Sequence, residues 1–355
     1  MLAARARAVA ATGRSWHLVL GACLDQLDPL PAGANLGILY LSEALAPVAD
    51  EVLRAFVQRT GVTSWLGASG HAVLGGAGGD GICALVLSLP ADRFVVRAGI
   101  APDPGAGMLV VHGEIAAAGP ASLLAELGSA GAVRVAGGLV ADRRQPVQIA
   151  DGVVAGCPAC LELAASHPAV AGLATAGSPL GPAHRVTSAV DGEILSLDGR
   201  PALSVMTDEL GDLFRHSGRR FAPELWVSER ADGSAGPVLR MRRIIAVDEA
   251  RGAMRVEGGR HGRELRLMRP DPAGSLARLR DLTGALLARL GGSPPVAALY
   301  FASRHRGQGL FGPGVDEVAI LRERLGRIPL AGLVTDAEIF DGAMHEAAGV
   351  LVLFG

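Results

Sequence analysis

Residues 296–342, VAALYFASRHRGQGLFGPGVDEVAILRERLGRIPLAGLVTDAEIFDG, read as strand, glycine-rich loop, helix and strand. The apolar run 296–301 is short and is bounded by Pro294-Pro295 and by Arg304-His305-Arg306, which suits a strand buried on both faces. Gly307, Gly309, Gly312 and Gly314 then form a loop whose backbone reaches conformations that other residues resist. Beyond it, Val315, Val318, Ala319, Leu321 and Leu325 fall at helical spacing. Asp316 and Glu317 stand in the first turn and Arg322 and Arg324 near the last, the distribution that the helix dipole favours. Gly326 stops this helix, and a second apolar run, 328–334, leads to Asp336, Glu338 and a turn at Asp341-Gly342.

The same grammar recurs elsewhere in the chain. Residues 36–43 read as a strand, 48–61 as a helix and 63–68 as a second strand, and the triplet Asp50-Glu51-Val52 returns as Asp316-Glu317-Val318. A third, weaker copy runs from the strand 108–112 through a helix at 121–127 to the strand 133–138. One βαβ-like unit has therefore been reused by duplication.

Between the copies lie elements of other kinds. Residues 152–163 read as a buried strand, and 185–190 and 193–197 as a hairpin turning at Asp191-Gly192. A helix is predicted over 201–214. The short runs 225–229, 239–247, 253–257 and 264–267, separated by turn residues, predict an antiparallel meander. A helix over 275–290 and a last strand over 348–354 complete the pattern. The fold class expected is α/β: two halves with mixed β-sheets flanked by helices, built from repeated βαβ-like units plus an antiparallel meander.

A chain of 355 residues, half of them apolar, is long enough for a substantial core. A net charge of -2 and 4% aromatic residues leave neither a basic footprint nor a base-stacking surface, so nucleic acid is not expected as a partner. The arginines between Arg240 and Arg269 alternate with apolar residues and mix with acids, as on the solvated face of a meander. Four cysteines indicate no disulfide framework, and Cys157-Pro158-Ala159-Cys160 lacks the second CxxC or paired histidines of a zinc site. Arg5, Arg7 and Arg14 precede a short apolar stretch, but Trp16 and His17 interrupt it, and a helix over 15–27 accounts for these residues better than a signal sequence. No apolar segment is long enough to span a bilayer, and a cytoplasmic location is expected.

These stretches, in this order, resemble the FIST family, named for F-box and intracellular signal transduction proteins. The resemblance rests on Phe301-Ala302-Ser303, Arg306-Gly307, Leu310-Phe311-Gly312 and the segment Gly332 to Ile339 in the C-terminal half. In the N-terminal half it rests on Gly67-Ala68-Ser69, Val186-Thr187 and Leu197-Asp198-Gly199-Arg200-Pro201-Ala202. It covers residues 15–353 and implies an N-type domain over 1–200 and a C-type domain over 201–355. Ser303 and Ala68 stand where the family usually has cysteine, Ala337 replaces a glycine, and Val73 replaces the glutamate of the N-terminal copy. No thiol role is expected at these positions.

What the resemblance implies is a bacterial, stand-alone sensory domain that binds a small ligand, an amino acid or related metabolite. It would signal through a separate partner such as a kinase, cyclase or chemoreceptor. Ligands of open α/β sheets sit beyond the carboxyl ends of strands. That places Ser303, Arg304, Arg306 and Gly307 after one strand, Ser69 and His71 after another, and Glu338 after the paired strand. Arg306 is suited to clamp a carboxylate; Glu338 either neutralises Arg306 or receives a ligand amine. No cofactor is expected. A haem-binding gas sensor, with His71, His305 or His345 as candidate ligands, is an alternative, and so is a protein-interaction scaffold without ligand. A hydrolase would draw on Ser69 with His71 or Ser303 with His305, but neither serine lies in a GxSxG elbow, so no enzyme is expected.

Overall fold

A computed structural model describes residues 5–75, 80–115, 133–141, 145–211, 225–233, 236–256 and 263–355. The first unit consists of β1 (Ala6–Gly13), α1 (Trp16–Gln26), β2 (Leu36–Ser42), α2 (Ala49–Thr60), β3 (Ser64–Gly70), β4 (Ala72–Val73) and β5 (Asp80–Leu87). Every residue of β2 is buried, as its unbroken apolar run requires. Helix α2 carries Asp50 and Glu51 in its first turn and ends on Gly61 at φ 69. Strand β1 was not anticipated. It is an edge strand, paired antiparallel to β5 from Ala6↔Leu87 to Gly13↔Asp80.

The second unit consists of β6 (Phe94–Ala98), β7 (Ala106–Glu114), β8 (Arg134–Val140), β9 (Gln148–Ala150), β10 (Val153–Val154) and β11 (Ala159–Ala164). The helix expected at 121–127 lies outside the described residues. The single strand expected over 152–163 is instead two, because Gly156 at φ 71 and Pro158 break the ladder between β10 and β11. Cys157 and Cys160 are free thiols, and burial pushes Cys160 up to about 12.

The third unit starts with β12 (Ala169–Thr175) and is then interrupted by an insertion. The insertion holds β13 (Ser178–Val190), β14 (Glu193–Leu197), β15 (Arg200–Pro201), α3 (Ala202–Leu210), β16 (Trp226–Gly233), β17 (Gly236–Asp248), β18 (Ala253–Val256) and β19 (Glu264–Arg269). It is antiparallel, as expected, with longer strands than the apolar runs alone indicate, but β19 returns to pair with β16 and β13 rather than with β18. The unit resumes with α4 (Pro272–Arg289), β20 (Ala297–Ser303), α5 (Gly307–Phe311), α6 (Glu317–Leu325), β21 (Leu330–Thr335), β22 (Ala337–Phe340), β23 (Ala343–His345) and β24 (Ala348–Phe354). The glycine loop after β20 is thus partly helical.

All three units share one strand order: β1-β5-β2-β3, β6-β11-β7-β8 and β12-β24-β20-β21. In each, two antiparallel pairings are followed by one parallel pairing. The equivalence holds to the residue. A Cβ on Gly67 would meet the Leu39 carbonyl at 1.9 Å, one on Gly137 the Val111 carbonyl at 1.9 Å, and one on Gly332 the Tyr300 carbonyl at 2.5 Å. Only glycine fits that close approach.

Each unit also gives its next strand to a neighbour. β4 of unit one pairs with β21, β9 of unit two with β3, and β22 of unit three with β8. This cyclic exchange arranges the units as if about a threefold axis. It also mixes the two halves of the sequence, since β4 and β12 lie in one sheet with β20. The inner faces share one core containing Tyr40, Val110, Ala136, Leu299 and Phe301, while α1 and α2 cover the outer face of unit one and α4 and α6 that of unit three. Among the described residues, no helix is long and apolar enough to cross a membrane.

Candidate ligand site

Because the units share an orientation, the carboxyl ends of their parallel strands converge. One layer inside, the equivalent residues Tyr40, His112 and Phe301 meet edge to face, with ring centroids 5.3 Å, 5.3 Å and 6.0 Å apart. The Tyr40 hydroxyl lies 3.3 Å from His112 Nε2. Burial drives the His112 pKa down to about 3, so this imidazole is neutral. Its Nδ1 lies beside the Gly138 backbone without a hydrogen bond of normal geometry. Gln148, on the same face as Tyr40 and Ala68, is fully buried, and neither polar atom of its carboxamide has a hydrogen-bond partner among the described residues.

At the mouth of this convergence, the same step from Gly67, Gly137 and Gly332 reaches His71, Ala141 and Asp336. Asp336 gathers all three units: His71 Nε2 lies 2.9 Å from its Oδ2, the Ala141 N–H donates to Oδ2 at 2.7 Å, and Arg304 Nε lies 3.2 Å from Oδ1. Burial acts to raise the Asp336 pKa, but His71, the Ala141 amide and Arg304 outweigh it and hold it below the usual carboxylate value. His71 Nδ1 is 3.8 Å from Glu43. His71 and Arg304, expected from sequence as separate loop residues, therefore meet on one carboxylate.

Ser303 and Glu338 converge on a different feature. The Ala347 N–H donates to Ser303 Oγ at 3.2 Å, and the Ala348 N–H donates to Glu338 Oε2 at 3.2 Å. Thr335 Oγ1 donates to Glu338 Oε1 at 2.8 Å. These bonds hold the turn between β23 and β24, in which Ala347 adopts φ 56, a left-handed conformation that a non-glycine residue keeps only when its surroundings enforce it. Burial pushes the Glu338 carboxyl well above its ordinary value. Ser69 Oγ accepts from the Val147 N–H at 3.0 Å, and Ser303 Oγ accepts also from the His305 backbone N–H at 3.3 Å. Both serines thus bond backbone amides rather than an imidazole.

Arg306 is placed apart from these. Its guanidinium is fully buried toward the outer layer, where Nε and Nη2 donate to Glu317 Oε1 at 2.9 and 2.7 Å and Nη1 to the Ala174 carbonyl at 3.2 Å. Tyr300 donates to the same Glu317 oxygen at 2.9 Å, and the Phe311 ring stacks 5.5 Å from the guanidinium. Burial opposes the charge on Arg306, but Tyr300 and Glu317 outweigh it and raise its pKa. The hydrogen-bonded partner of Arg306 is Glu317, Glu338 acts on it only through space, and Gly307 opens α5. Of the histidines considered for haem, His345 is buried and driven down to about 4 by that burial, and His71 engages Asp336.

Two pockets flank the pinned turn, separated by Met241. One, of about 120 Å³, is lined by Trp226, Arg242, Arg304, His305 and Ala347. The other, of about 280 Å³, is lined by Thr175, Ser228, Arg266, Met268, His345 and Glu346. A larger groove of about 470 Å³ lies by β1 and Pro329, where no residue expected from sequence reaches.

Comparison with known families decides what this architecture is. The FIST N domain profile matches residues 35–200, and the FIST C domain profile matches residues 202–341. The chain belongs to the FIST family. FIST domains are sensory domains of signal transduction. No curated protein matches the chain. In this FIST chain Glu338 and Ser303 both hold the same turn. Sequence reasoning missed Asp336, Glu317, Gln148 and Glu346 as site or partner residues. Superposing the three repeats on their glycines would have found Asp336 opposite His71; for the others no sequence signal distinguishes them from surface or filler residues.

Proposed function

We propose that this FIST chain is a sensory domain that binds a small polar metabolite, such as an amino acid or a relative of one, beside the converging strand ends, and that it passes the signal to a partner protein. The observation that carries this reading is the convergence itself. Three duplicated units bring their carboxyl strand ends to one place, the position where open α/β sheets receive ligands, and pockets open there. His71, Ser303, Arg304, Glu338 and Ser69 all lie around it. In this reading Arg306 and Gly307 support the site rather than touch ligand. Binding would act through the Ser303–Glu338 turn and the Asp336 junction, which join elements from all three units and so give a ligand leverage on the whole molecule.

The test is a thermal-shift screen of the purified chain against amino acids, nucleotides, small amines and carboxylates. A concentration-dependent rise with at least one class is expected, without turnover of the compound. A flat screen would favour a scaffold, and consumption of a stabilising compound would favour an enzyme.

A further inference from the structure

The pocket of about 280 Å³ lies between the inserted meander and the turn held by Ser303 and Glu338. It stands at the lower end of ligand pockets, roughly 300–1,000 Å³, so its occupant is small. Met241 and Met268 give it an apolar, adaptable wall, and Thr175 and Ser228 give it polar edges. Two arginines line it with different engagements. Arg278 is tied to the chain, donating to the Thr175 carbonyl at 3.1 Å and the Gly177 carbonyl at 2.6 Å. Arg266, exposed at the rim, makes no hydrogen bond or ion pair with a described residue.

The turn itself contributes Glu346. Its carboxyl is half-buried and likewise makes no hydrogen bond or ion pair with a described residue. It is not free to swing away at the backbone, because Ala347 beside it is bonded through its N–H to Ser303 and through its carbonyl to the Ala176 N–H at 3.0 Å. Strain in the Ala347 backbone is therefore maintained by these two neighbours, and its effect is to present Glu346 to the pocket. The Glu346 carboxyl, half-buried beside methionine side chains, makes no hydrogen bond to a described residue and feels Arg240 and Arg242 only through space, so a cation reaching it would become a direct partner.

Resting on the sensory reading above, we propose that this pocket takes a small primary amine with a compact apolar substituent, its ammonium on Glu346 and its substituent against Met241 and Met268. Arg266 adds a preference for amines that also carry a carboxylate. Burial raises the Glu346 pKa, Arg240 and Arg242 pull it down, and Glu229 and Asp336 push it up again. Ser303 and Glu338 are positioning residues in this arrangement.

The experiment is calorimetric titration of the full chain with isobutylamine, leucine and isovalerate. Isobutylamine and leucine are expected to bind and isovalerate is not. Glu346→Gln should weaken both amines at least about tenfold, because removing one partner of a desolvated charge pair has a large effect, while leaving the melting temperature of the free protein no lower than that of the parent. Arg266→Gln should weaken leucine several-fold and leave isobutylamine as it was. Binding of isovalerate as tight as that of the amine, or unchanged amine affinity in Glu346→Gln, would overturn the proposal. Should neither amine bind while some other metabolite stabilises the chain in the thermal-shift screen, this inference fails and the sensory reading stands; if no small molecule binds, both fail.

Discussion

Arg306 and Glu338 are both fully buried in the third unit, and the protein satisfies their charges differently. On the outer side, Arg306 is matched by Glu317, by Tyr300 and by a backbone carbonyl, so the charge is kept and satisfied. Glu338 accepts from a hydroxyl and an amide and feels Arg306 through space, His112 is neutral, and the Gln148 carboxamide has no hydrogen-bond partner among the described residues. The outer node fastens α6 to β20 and β12; the inner groups sit where three units meet and hold a turn that faces a pocket. An ionic pair closed on itself is structural glue, whereas polar groups left short of partners mark the place where something else can bind.

The largest effect that would break this comparison lies on the outer side. Arg306→Ala leaves Glu317 buried without its partner and should cost about 3–5 kcal/mol, read from urea unfolding. The double change Arg306→Met with Glu317→Leu should recover much of that loss. If the single variant is as stable as the parent, the outer node is not a fastening.

Acid should act next, through the inner histidines. His112 and His345 have folded-state values of about 3 and about 4 against an ordinary 6.5. The unfolded chain therefore binds the protons first, and stability is fully present above pH 6.5 and falls as the pH drops toward 4 and then 3. Asp336, whose value is lowered, adds a loss at still lower pH, below its ordinary 3.8. Glu338, raised by burial, works the other way above 4.5. His112→Phe should flatten the decline between pH 6.5 and 3 in a series of unfolding midpoints, and an unchanged slope would show that His112 is not buried as the neutral form.

Smaller effects probe the inner polar groups directly. Glu338→Ala removes the acceptor for Thr335 and Ala348 and should cost about 1–3 kcal/mol, whereas Glu338→Gln, which keeps an acceptor, should cost less. Gln148→Met replaces an unsatisfied carboxamide by an apolar chain of similar length. It should leave the free protein as stable or more stable, by up to about 1 kcal/mol. A clear loss instead would mean that the carboxamide has a partner in solution.

Much of this architecture was legible in the chain. The apolar runs and their glycines marked the parallel pairs of units one and three, and even the weak copy at 108–112 and 133–138 proved to have the same strand order as the others. What was not legible is the exchange of β4, β9 and β22 between units. Strands of two to four residues carry too little pattern to announce a partner, and their partners are set by the packing of whole units. The same limit explains the site. Ser303, Glu338, His71 and Arg304 stand out by position after strands, but which pairs meet depends on the axis. Arg306 and Glu338 lie in the same motif and feel each other's charge, yet their hydrogen bonds go to different groups. Glu317, in the first turn of a helix, looked like a dipole residue until Arg306 and Tyr300 were seen to end on it.

The central claim is that the strand-end convergence, with its pinned turn, is where a ligand is sensed. Amide hydrogen exchange of the full chain, with and without a saturating stabiliser from the thermal-shift screen, tests it most directly. The account expects slowed exchange together at the Ala141, Ala347 and Ala348 amides, which bond to Asp336, Ser303 and Glu338. Unchanged exchange at those amides, with protection confined to the groove beside β1 and Pro329, would contradict it.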